Sequence, residues 1–124
     1  MSLTREQILA ARKTPREKVA MPEWGGDVWV QVMSGEVRDE YEMEMYKERN
    51  NGAMKNMRAR LLVRCLVDES GAPLFKPEDI AELGKESSVL LDRLAQVAQR
   101  LNFLTDNAME KAKGNLEPNP GVAQ

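Results

Sequence analysis

Twenty carboxylates, eighteen cations, one thiol and no imidazole are the reactive side chains of this chain of 124 residues. Glu40 and Glu44, four apart on one helical turn, form the kind of carboxylate pair that a hydrolase uses. With 20 acidic residues in the chain, however, such pairs arise by chance and carry no specific signal. Nucleophilic catalysis of the Ser-His-Asp or Cys-His type needs a base beside the nucleophile, and the usual base, histidine, is absent. The same count removes Cys/His zinc sites, and no acidic stretch has the ligand spacing of a calcium loop. Gly25-Gly26 lacks the following lysine and helix start of a phosphate loop. Lys55, Arg58, Arg60 and Arg64 would make a basic helical face, but no aromatics interleave with them. A net charge of −2 also supplies no overall positive field for nucleic acid. The chain therefore reads as a binding protein with no catalytic, metal-binding or cofactor-binding residue.

The segment Lys18 to Gly35, KVAMPEWGGDVWVQVMSG, carries a hairpin signal. Val19 and Met21 alternate with small or polar neighbours, Gly25-Gly26 offers residues able to take positive φ, and Val28, Val30 and Val32 share one strand face. Trp29 and Met33 fall on the opposite face. One of the two faces must pack on the helices, which leaves the other for a client or a neighbouring copy. The free edges of a lone hairpin favour strand addition between copies.

Helices are expected around the hairpin. Thr4 and Gln7 make a capping-box pattern ahead of Ile8 and Leu9, in a helix ending before Pro15. Ser34 is an N-cap for an acidic helix in which Val37, Tyr41 and Met45 share a face, with Met43 and Tyr46 off that stripe, and Asn50-Asn51-Gly52 ends it. Ala53 to about Val67 reads as one buried helix on Met54, Met57, Leu61 and Cys65, its basic face opposite in sign to the acidic helix. Asp68 to Pro73 is a turn, Pro77 opens a short helix ending near Gly84, and Ser87 or Ser88 caps a long helix on Leu90, Leu94, Val97, Leu101 and Leu104. Thr105 caps a last short helix to about Lys113. The expected fold is α+β and mainly α-helical: one hairpin over about 18–33 followed by a helical bundle, in one domain over 1–113 with a mobile tail over 114–124.

This length supports one core without staples. Cys65 stands alone in the apolar run LLVRCLV and is expected to be buried. The eight methionines suit an adaptable interface or a helical core. The N-terminus has no secretory apolar region, and no stretch approaches the ~18 apolar residues of a membrane span, so no membrane association is expected.

The residues VAMPEWGGDVWVQVMSGEVRDEYE, followed by MRARLLVRCLVDESGAPLFKPEDIAELGKESSVLLDRLAQVAQRLNFLT, resemble the short tail assembly chaperones of long-tailed siphophages. The resemblance spans roughly Leu9 to Leu104. It rests on the order of a P-E-W-G-G hairpin, an acidic helix, a V-D-E-x-G-x-x-L-F turn and an L-D-R-L-x-x-V-A-x-R-L-N helix. It implies a protein of the host cytoplasm that coats the tape measure protein until tail tube subunits polymerise around it, and that is absent from the finished virion. The rival is a structural virion component such as a head–tail connector or minor tail protein. The family also implies a longer product made by −1 frameshifting, which recruits the tube protein. Ala112-Lys113-Gly114 can be encoded with a slippery heptamer, so Lys113 and Gly114 are the candidate frameshift position. From apolar character alone, the candidate partner-binding residues are Trp29, Met33, Met43 and Tyr46.

Overall fold

The structure, a computed structural model, describes residues 1–11, 14–52 and 54–104. Helix α1 (Arg5–Ala10) begins at the expected capping box: the Thr4 hydroxyl accepts from the Gln7 amide at 3.1 Å, and the Gln7 side chain accepts from the Thr4 amide at 3.0 Å. Strands β1 (Arg16–Met21) and β2 (Gly26–Gln31) pair antiparallel, with Arg16 opposite Gln31 and Met21 opposite Gly26. Pro22–Trp24 form a 3-10 turn between them. Gly25 then takes φ +82°, a value at which a Cβ would be strained, while Gly26 simply opens β2.

Helix α2 (Gly35–Asn50) starts where the Ser34 hydroxyl accepts from the Val37 amide, and it stops at Asn51 and Gly52, as expected. The next segment departs from the single helix read over 53–67. Helix α3 (Met57–Leu62) lasts six residues, the chain turns through Val63 to Cys65, and strand β3 (Leu66–Val67) joins β2 antiparallel. Leu66 and Val67 fit the helical stripe and a buried strand equally well, and a short apolar run cannot be assigned by periodicity. What decides it is the free edge of β2, whose backbone groups are satisfied by β3.

The sheet order is thus β1-β2-β3, and the hairpin does not stand alone. The far side of β3 is closed as well: Leu74 donates to the Leu66 carbonyl at 3.1 Å, and Asp68 to that of Ala72 at 2.8 Å. That turn is fastened by the Asp68 carboxylate, which accepts from the Ser70 and Ala72 amides. The outer edge of β1 has no strand partner among the described residues.

A 3-10 turn at Pro77–Asp79 leads into α4 (Ile80–Leu83), and Ser87 caps α5 (Ser88–Leu101). The core lies between one sheet face and α3, α4 and α5, built on Met21, Val30, Leu62, Leu66, Ile80, Leu83 and Leu94. The buried row of α5 is Leu91, Leu94, Ala95 and Ala98. Of the expected heptad-like stripe only Leu94 lies fully inside, while Leu90, Val97, Leu101 and Leu104 pack around its margin. The small Ala95 and Ala98 side chains let the other elements approach closely, which a pattern built on large residues overlooks. The expected helix from Thr105, the boundary at 113/114, the tail, Lys113 and Gly114 all lie outside the described residues.

Candidate interaction surface

One buried side chain sets where the sheet ends and α2 begins. Asn102, at the C-terminal cap of α5, is 4% exposed. Its Oδ1 accepts from the Met33 amide at 2.9 Å, and its Nδ2 donates to the Ala98 carbonyl at 2.8 Å and toward Cys65 Sγ at 3.7 Å. Its own carbonyl accepts from the Arg38 guanidinium at 3.0 Å. Periodicity gave this residue no role, although it closes the L-D-R-L-x-x-V-A-x-R-L-N run on which the family resemblance rests.

Met33 shares the strand parity of Trp29, yet it is only 6% exposed and belongs to the core. Beta2 ends at Gln31, and the Asn102 bond turns the chain inward at Met33, so the alternation does not carry that far. Met33 is accordingly corrected from a surface candidate to a core residue.

The sequence leaves open which hairpin face is buried; in the structure Val28 and Val30 pack on the core and Trp29 lies on the face away from the helices. It is half-buried by its neighbours on that face. The Arg16 guanidinium lies 4.3 Å from the indole centroid and the Lys18 ammonium 5.6 Å. An open groove runs beside it, lined by Trp29, Val67 and the exposed Leu74 and by the charged Lys18, Asp27, Asp68 and Glu69.

Helix α2 divides its side chains sharply. Val37 and Tyr41 pack on the core, and Glu44 receives hydrogen bonds from both Arg60 and Arg64. The opposite charges read from the sequence therefore pair across α2 and α3. Burial pushes the Glu44 carboxyl up, but the two guanidinium donors outweigh it and its pKa is lowered overall. Arg64 is the more enclosed partner, its side chain 7% exposed. On the other side of the helix Met43 is 68% and Tyr46 62% exposed, and their spacing of three sets them side by side. Glu36 and Asp39 border this pair and have no ion-pair partner among the described residues.

The hairpin turn is held to α5 by a two-pronged ion pair, both Arg93 nitrogens donating to the Glu23 carboxylate at 2.8 Å. That bond is the main reason the Glu23 carboxyl falls to about 2. Cys65 is buried, and burial pushes its thiol up to about 12, far from a reactive thiolate. Among the described residues no group of three potential ligands converges for a metal ion, and no helix is long and apolar enough to cross a membrane. Trp29 thus lies on one exposed face and Met43 with Tyr46 on another, each with charged side chains around it.

These features define a small α+β domain, a three-stranded antiparallel sheet backed by helices, with apolar groups left on its surface. The chain belongs to the phage tail assembly chaperone family, whose model matches residues 3–114. A solved structure described as that of the bacteriophage HK97 tail assembly chaperone is similar in fold, with a TM-score of 0.55 and 25% identity over 77% of this chain and 91% of that one. A comparison with curated proteins finds no match.

Proposed function

We propose that this protein binds the tape measure protein in the host cytoplasm, keeps it soluble, and helps bring tail tube subunits to it. The observation that carries this reading is the family match over nearly the whole chain, joined to exposed apolar side chains on a domain that is otherwise highly charged. A holding chaperone needs adaptable apolar contacts, and polarisable or aromatic side chains with charged stems around them suit that use. The sheet face is the leading client surface. A client segment can lay apolar side chains against Trp29 and Leu74 in the groove, while Arg16 and Lys18 frame the indole. Met43 and Tyr46 are the second exposed group. Delivery of the tube protein belongs to the longer frameshifted product.

An assembly factor leaves when the tail is complete. Mass spectrometry of purified virions is expected to find the tape measure and tube proteins without this chain. Its recovery in stoichiometric amounts would favour a structural virion component instead.

A further inference from the structure

We infer that α2 is a releasable strap: it lifts from the core as one unit, pivoting at its two ends, and uncovers Cys65 while the sheet and the helices α3, α4 and α5 stay folded. Helix α2 is 16 residues long and buries none of them, whereas α5 buries Leu91, Leu94, Ala95 and Ala98. Among the described residues, its apolar hold on the core is the partly buried Val37 and Tyr41. The rest of its attachment is polar. Glu44 takes the Arg60 and Arg64 guanidiniums, Glu48 and Glu40 stand off from the same two arginines at 3.9 Å, and Arg38 donates to the Asn102 carbonyl at 3.0 Å. Arg64 Nε is buried without a hydrogen-bond partner, so even this clamp is incomplete.

An element with little buried apolar surface opens at a lower free energy than the whole fold. Both ends of α2 have room to turn. Ser34, Gly35, Asn51 and Gly52 are exposed, and a Cβ added at Gly35 or Gly52 would meet nothing within 4 Å.

Cys65 lies beneath the first turns of the helix. Asn102 Nδ2 points at its Sγ at 3.7 Å, and the carbonyl of the same asparagine holds Arg38. The Tyr41 hydroxyl is pushed up first by burial and next by Cys65, so these two side chains are neighbours. As the only cysteine of the chain, Cys65 reports on the release. Lifting α2 would also turn out Val37, Tyr41 and Met45 next to Met43 and Tyr46, which widens the apolar surface offered to a client. That use rests on the function proposed above, whereas the release belongs to the chain alone and is tested without a client.

The test is maleimide labelling of Cys65 in the dilute full chain, read by mass spectrometry together with amide hydrogen exchange. The α2 amides are expected to exchange as one group, about tenfold or more faster than those of α5, and labelling is expected to change little in low urea because the release exposes little surface. Glu44→Gln removes the charge that both guanidiniums share and is expected to speed labelling about tenfold. Ile80→Val trims the core at α4 and weakens the whole fold, so labelling through global unfolding would rise about fivefold, whereas labelling through the strap is expected to stay unchanged. The inference is overturned if labelling rises with Ile80→Val as global unfolding does, or if Glu44→Gln is labelled at the wild-type rate. Protection of the α2 amides equal to that of α5, or a Cys65 that stays unlabelled while the α2 amides exchange, would overturn it as well.

Discussion

Asn102 shows how a single polar side chain can orient a surface that it never reaches. It joins the exit of β2, the end of α5 and the first turn of α2, so the direction in which α2 leaves the sheet depends on it. Replacing it with alanine leaves the Met33 amide buried without a partner and opens a small void. Asn102→Ala is expected to cost about 2 kcal/mol, the scale of an unsatisfied buried donor plus lost packing. Urea denaturation measures it, and a change below about 0.5 kcal/mol would mean that the site rearranges freely. Met33 teaches the complementary point. Its parity placed it with Trp29, and a hydrogen bond from 69 positions away in the chain put it in the core.

At the scale of elements, the joint between α2 and α3 is electrostatic at its margin. Glu44 bridges Arg60 and Arg64 with its side chain 20% exposed, so its carboxylate is held in the charged form more firmly than in the unfolded chain. A lowered folded-state pKa contributes stability above the unfolded value and loses it as pH falls through the folded one. The protein is therefore expected to lose stability below the ordinary carboxylate value of 4.5, and Glu44→Ala to remove part of that acid sensitivity. The same variant is expected to cost about 2 kcal/mol at neutral pH, because two guanidinium groups lose their acceptor. Thermal melts from neutral pH to below 4 compare the two proteins, and identical acid slopes would contradict the assignment. Elements with local signals were legible in the sequence: the Thr4–Gln7 box, the Ser34 and Ser87 caps, the Gly25 turn and the Asp68 turn all stand where their side chains require. Elements decided by tertiary pairing were not. Beta3 exists because β2 has an edge to fill, and the inner row of α5 follows Ala95 and Ala98, whose small size leaves no mark in a large-residue stripe.

The whole molecule presents two unlike surfaces on one compact core. The sheet side offers Trp29 beside two cations, with Asp27, Asp68 and Glu69 along its groove, and the α2 side offers Met43 and Tyr46 beside Glu36, Asp39 and Lys47. Met43 and Tyr46 were readable as apolar positions off the stripe of their helix, whereas the sequence left open which hairpin face is buried, and so the place of Trp29. Which carboxylates near them lack a cationic partner was not readable, because that depends on the tertiary ion pairs. Under the proposed function, this protein holds the tape measure protein. The most direct measurement is co-expression with the tape measure protein of the same phage, scoring client solubility and co-purification against client expressed alone. A soluble client carrying many copies of this chain is expected, with recovery falling several-fold for Trp29→Ala. A client that stays insoluble both with this chain and with its longer frameshifted form would contradict it.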